Sequence, residues 1–225
     1  MEFKIIDLEN WERAECFQHF STVAKSTYSL TAEVDITNLM KYIRKKGLRL
    51  FPTFTWLVTY ALNQQEVFRM GYDENGNLGI WDEIYPDYSV LNEKTKNMDS
   101  LCTPYESSFA LFYEAMCRDT KAYKEEGKGT KKYPNFFVAS CLPWLKYTSF
   151  TATNESSYTF LFPMVTWGKY VEVQERVIMP LTLQIHHAAA DGYHCAKFFQ
   201  QIDEMISNLE YYLENHGMAK IQQGD

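Results

Sequence analysis

Four side chains able to move protons or hold a metal fall within one short stretch: His186, His187, Asp191 and His194. They close the segment Leu181-Thr-Leu-Gln-Ile-His-His-Ala-Ala-Ala-Asp-Gly-Tyr-His194. An imidazole titrates near neutrality, so it can take a proton from a hydroxyl and return it later in the same reaction. Met179, Leu181, Leu183 and Ile185 alternate with Thr182, Gln184 and His186, which predicts a strand with one apolar and one polar face. By that parity His187 falls on the apolar face and His186 on the polar one. An imidazole at the mouth of a buried strand, partly stripped of water, is held toward its neutral form and is ready to act as a base. The same position also suits an ordinary hydrogen-bonded core histidine. Metal binding by the four fits poorly, since adjacent strand residues point to opposite faces and cannot easily share one ion. His187 is the best candidate in the chain for a general base.

Such a base needs a strand, a turn and a helix to hold it. Asp191-Gly192 is a turn signal, and Gly192 would allow a tight reversal. Tyr193 to about Glu214 then places Phe198, Ile202, Met205, Ile206, Leu209 and Leu213 on one side of a long helix. Further helices are predicted at Trp11–Phe20 (with Asn10 as N-cap), from Thr37 to Gly47, from Pro52 to about Gln65, and at Ser108–Tyr123. Strands are predicted at Phe3–Ile6, Tyr28–Ile36, Tyr88–Leu91, Phe136–Leu142, Tyr147–Thr153, Tyr158–Trp167 and Val177–His187. Asn75-Gly76 marks a hairpin between Val67–Tyr72 and Leu78–Trp81. Strands and helices mix without regular βαβ alternation. The predicted fold is therefore α+β, a large mixed sheet with helices on one face.

The chain of 225 residues fits one domain, 1–225, with no internal repeat or linker. Aromatic residues make up 16% of it, enough for an apolar ligand cavity as well as a core. A net charge of −7 without a dense basic run argues against nucleic acid. Lys121 to Lys132 reads as a charged, solvated loop. No segment approaches a transmembrane span, and Met1-Glu-Phe-Lys-Ile-Ile-Asp lacks the apolar core of a signal peptide. Five cysteines without C-x-x-C spacing read as reduced thiols, and a cytoplasmic location is expected.

The pattern His-His-x-x-x-Asp-Gly is shared by acyltransferases that use coenzyme A or carrier thioesters. More specific elements surround it: Asn10-Trp11-Glu-Arg13, Thr27-Tyr-Ser-Leu-Thr31, Val34-Asp-Ile-Thr37, Leu78-Gly-Ile-Trp-Asp82, Ser140-Cys-Leu-Pro-Trp144, Ser149-Phe150 and Pro163-Met-Val-Thr-Trp-Gly-Lys-Tyr170. Together they resemble the chloramphenicol acetyltransferase family over essentially the whole length. The resemblance implies a two-layer α/β sandwich, acetyl-CoA as co-substrate, no metal, and a homotrimer with active sites between subunits. It implies His187 as general base in a direct ternary-complex transfer, and Ser140 as the donor to the tetrahedral oxyanion. Taken alone, Ser140 reads as an ordinary strand serine.

By the same resemblance Asp191 pairs with Arg13 as a structural ion pair, and Thr166 orients the acceptor through water. Trp144 and Tyr170 line the coenzyme A channel. Phe20, Ser26 and Phe150 fall at acceptor positions, and there the chain departs from the family. Phe20 stands where a tyrosine is usual, Lys25-Ser26 replaces Pro-Cys, Thr151-Ala152-Thr153 replaces Asn-Leu-Asn, and Ala189-Ala190 replaces Val-Cys. The expected activity is chloramphenicol 3-O-acetylation. The alternatives are another small hydroxylated or amino acceptor, or a non-catalytic trimeric ligand binder.

Overall fold

The computed structural model describes residues 1–152 and 160–215. Its strands are β1 (Phe3–Ile5), β2 (Thr27–Asp35), β3 (Met70–Tyr72), β4 (Leu78–Trp81), β5 (Tyr85–Leu91), β6 (Met98–Cys102), β7 (Phe136–Leu142), β8 (Met164–Gly168), β9 (Val171–Val173) and β10 (Arg176–His186). Seven of them form one sheet in the order β2-β10-β8-β7-β5-β6, with β9 also paired to β10. β7 is parallel to both β5 and β8, and the other pairs are antiparallel, so the sheet is mixed. A separate small sheet has the order β1-β4-β3. The helices are α1 (Ala14–Gln18), α2 (Thr37–Lys46), α3 (Leu50–Asn63), α4 (Phe109–Glu126), α5 (Gly192–Ser207) and α6 (Leu209–Asn215). None of them is long and apolar enough to cross a membrane.

β10 explains the layering. Met179, Leu181, Leu183 and Ile185 join Leu57, Phe198 and Ile202 of the helices in one buried core. Each such side chain contributes roughly 2 kcal/mol by leaving water. The opposite face of β10 carries Thr182, Gln184 and His186, and these are buried as well. Residues 147–152 lie across it. The Tyr147 hydroxyl donates to the Thr166 carbonyl at 2.7 Å, and Gln184 bonds both backbone groups of Ala152.

That covering segment was expected as a strand over Tyr147–Thr153, yet residues 147–152 pair with no strand among the described residues. Side chains of the sheet hold it instead. Thr153 lies outside the described residues, as do Tyr158 and Thr159 of the expected Tyr158–Trp167 strand; the strand found there is β8. The first helix is shorter than expected. The Asn10 amide donates to Asp7 in a local turn rather than capping, α1 starts at Ala14, and a π-helical turn follows over His19–Val23. The expected charged loop from Lys121 is helical up to Glu126, where Gly127 at φ +68° ends α4. The last helix breaks at Asn208 into α5 and α6. β6 and β9 were not predicted; both are short, and most of their residues are exposed.

Candidate active site

The backbone of the His187 turn is wound around its neighbour. His186 ends β10 opposite Thr27 and is 1% exposed. Its Nδ1 accepts the Ala188 N–H at 3.1 Å, and its carbonyl accepts from Ala189 at 3.0 Å and Ala190 at 3.3 Å. His187 sits at the apex, its own N–H donating to the Ser26 carbonyl at 2.8 Å. Because Nδ1 of His186 is an acceptor, its proton is on Nε2, which is buried without a partner. Burial, and then the charge of His187, holds the His186 imidazole below its ordinary titration range.

The His187 ring turns to the helix face of the sheet. It stacks on Phe20 with centroids 3.7 Å apart and planes 9° apart, and the Tyr28 ring meets it edge-on at 5.0 Å. Tyr28 is the cross-strand partner of Ile185, so the two adjacent histidines do occupy opposite faces. The side chain of His187 remains 31% exposed. A ring clamped on two sides with one edge open can receive a substrate without having to be reoriented.

Behind it stands Asp191. One carboxylate oxygen accepts from the Arg13 guanidinium at 2.6 Å, and the other lies 3.5 Å from Nδ1 of His187 without forming a hydrogen bond. Arg13 also reaches the Ala189 carbonyl at 3.4 Å, so it ties the turn at two points. Burial pushes the Asp191 carboxyl up, but the Arg13 hydrogen bond and charge, with His194 and His187, pull it lower, and the net shift is downward. His194 uses Nδ1 to accept the Asp191 N–H at 3.1 Å. Gly192 is simply the first residue of α5, not at a left-handed φ, so the reversal expected of it is made by the residues before it.

Ser140 and Thr166 form a second cluster. They are register partners on the parallel β7–β8 pair, and Thr166 faces Thr182 of β10. Thr166 is buried with its hydroxyl unpaired, while Ser140 is half-buried. Both lie on the polar face. Thr182 is four residues before His186, roughly 13 Å along the strand. A single copy of the chain therefore does not bring Ser140 and Thr166 to the His187 ring.

A third cluster lies at the end of β7. Trp144 is 64% exposed and borders a cavity of 360 Å³ lined also by Arg49, Phe51, Met116, Lys124 and Cys141. The Lys169 N–H donates to the Leu145 carbonyl at 2.9 Å, which ties the residue before Tyr170 to the residue after Trp144. Phe150 packs against Tyr147 with ring centroids 5.9 Å apart. Sequence reasoning passed over Arg49, Lys124, Tyr28 and Gln184. Arg49 beside the Pro52 helix start was the one visible signal, and the rest depend on contacts made far along the chain.

The chain matches the model of the family described as chloramphenicol acetyltransferase over residues 1–203. It is 35% identical over 216 residues to a chloramphenicol acetyltransferase of Clostridium perfringens, covering 95% of this chain and 99% of that one. A Staphylococcus aureus chloramphenicol acetyltransferase is 37% identical over 209 residues, covering 92% and 100%. A solved chloramphenicol acetyltransferase superposes with a TM-score of 0.81 at 25% identity, covering 91% of this chain and all of that one. The dihydrolipoamide acetyltransferase of Azotobacter vinelandii shares the fold, with a TM-score of 0.65 at 16% identity over 89% of this chain and 88% of that one. With a match over most of the chain in sequence and in fold, and the His187 turn in place, the chain belongs to the chloramphenicol acetyltransferase family.

Proposed function

We propose that residues 1–225 form one acetyltransferase domain that moves an acetyl group from acetyl-CoA to the 3-hydroxyl of chloramphenicol. The observation that carries this reading is the His187 ring, clamped between Phe20 and Tyr28 with one edge open, in a chain of this family. His187 takes the proton of the acceptor hydroxyl as its oxygen attacks the thioester carbon. The carbonyl oxygen becomes an oxyanion and accepts the Ser140 hydroxyl proton in a hydrogen bond, worth about 3 kcal/mol where water is excluded. The carbon–sulfur bond then breaks, and the imidazolium returns its proton to the departing thiolate. No acyl-enzyme is needed. Asp191 and Arg13 hold the turn, and Thr166 offers its unpaired hydroxyl toward the acceptor through water.

The cavity beside Trp144 would hold part of coenzyme A. Arg49 and Lys124 supply positive charge for its phosphates, and Phe51, Met116 and Cys141 supply an apolar wall for the pantetheine arm. Trp144 borders that cavity, and Tyr170 is the second aromatic residue assigned to the coenzyme. The separation of Ser140 from His187 within one copy supports a homotrimer in which each site takes its histidine from one subunit and its oxyanion donor from the next. Five unpaired thiols suit the reducing cytoplasm.

Phe20 favours a second reading, a different small hydroxylated acceptor. Its ring offers no hydroxyl to chloramphenicol at the position where the family's tyrosine stands, and a site whose donors change rejects ligands unevenly. Thiol release from acetyl-CoA, with and without chloramphenicol, separates the two. Release that depends on chloramphenicol and vanishes in His187→Ala supports the first reading. Release only with other alcohols moves the assignment to the second, and none with any acceptor refutes transferase activity.

A further inference from the structure

We propose that Gln184 is a positioning residue for the acceptor side of the site, acting through the backbone of Ala152. The residue is 6% exposed, and its amide is engaged at both atoms. Oε1 accepts the Ala152 N–H at 2.9 Å and the Ser29 hydroxyl at 2.9 Å, and Nε2 donates to the Ala152 carbonyl at 2.6 Å. Taking the N–H and C=O of one residue together reproduces the exchange made by a neighbouring strand in a ladder. Residues 147–152 need this, because they cross a buried face without pairing to any strand among the described residues, and buried backbone groups must find partners.

Among the described residues, the clasp is one of two hydrogen-bonded attachments of this segment. The other is the Tyr147 hydroxyl, which donates to the Thr166 carbonyl at 2.7 Å and accepts from the Thr182 hydroxyl at 3.2 Å. Phe150 lies between them. Trp144 lies before both and is held separately, through the Lys169-to-Leu145 bond. Releasing Gln184 therefore frees the Phe150 end of the segment and leaves the Trp144 end fixed. The inference rests on the transferase reading, in which Phe150 borders the acceptor and Trp144 the coenzyme.

Two variants test it. Gln184→Met keeps the volume and removes all three hydrogen bonds. Gln184→Glu keeps the acceptor toward Ser29 and the Ala152 N–H, but its second carboxylate oxygen meets the Ala152 carbonyl oxygen, so that side of the clasp is repelled. Amide hydrogen exchange over residues 150–152 should quicken about tenfold or more in both variants, with α3 unchanged. The KM for chloramphenicol should rise about tenfold or more in both, while kcat and the KM for acetyl-CoA stay within about twofold. Unchanged exchange at Ala152 would overturn the clasp whatever happens to turnover. Faster exchange with an unchanged acceptor KM, or with kcat and both KM values altered alike, would overturn the positioning role. If the Met variant does not fold, the same criteria applied to Glu decide. A wild-type protein that transfers no acetyl group refutes the transferase reading instead, and the exchange experiment still tests the clasp.

Discussion

His186 and His187 differ by one position and by everything that surrounds them. His187 has aromatic rings on two sides and an open edge, whereas His186 is sealed in and bonded to the turn it supports. A histidine held below its ordinary range is neutral when folded but protonates more readily when unfolded. The stability it contributes is therefore complete above the unfolded pKa of about 6.5 and is lost as pH falls from there toward the folded value. His194, lowered by burial and then by Arg13, acts in the same direction. Melting temperature should thus drop between pH 7.5 and 5.5. His186→Asn, whose side-chain oxygen can still accept the Ala188 N–H, should make that drop shallower; an equal slope in both proteins would remove His186 as its source. Phe20 argues at the same scale. Phe20→Tyr should add one acceptor hydrogen bond of about 1 kcal/mol, lowering the KM for chloramphenicol and sparing that for acetyl-CoA. A neutral or harmful effect on the acceptor side would favour a different alcohol.

The elements that hold these residues were readable where one face decides their fate. β2, β7, β10, α3 and α4 follow apolar spacings that survive any reasonable packing, and each came within a few residues of its expected bounds. Residues 147–152 did not, because the Tyr147 hydroxyl and the Gln184 amide anchor them to the sheet through partners far along the chain, and no local pattern records that. The polar face of β10 misled for a related reason: alternation shows polarity, and this polar face is buried. The site was legible in part. The Arg13–Asp191 pair, 178 positions apart, was reached through family resemblance and not through spacing. Its side chains are 23% and 34% exposed, so the pair is weaker than a sealed one. Arg13→Ala should cost about 1–3 kcal/mol, less than a fully buried pair would. It frees Ala189 as well as Asp191, and so should lower kcat more than either KM. Unchanged melting and turnover would show that the turn holds itself.

At the scale of the whole molecule, the mixed sheet presents two half-sites that one copy cannot join. The His187 ring lies on the helix face at one end of β10, and Ser140 and Thr166 lie on the polar face roughly 13 Å back along it. The proposed homotrimer, a closed ring of identical copies, would resolve this, since a head-to-tail interface sets the end of one subunit against the flank of the next. The arrangement makes a quantitative demand. His187→Ala and Ser140→Ala should each be nearly inactive as pure oligomers. When they are unfolded together and refolded in equal amounts, every interface draws its histidine from one chain and its serine from another at random. About one interface in four then receives both intact residues, and activity should return to about a quarter of the wild-type level. Mixing the two folded proteins without dissociation should restore nothing. If co-refolding also restores nothing, both residues act within one subunit, and the chain must rearrange by more than 10 Å to bring them together.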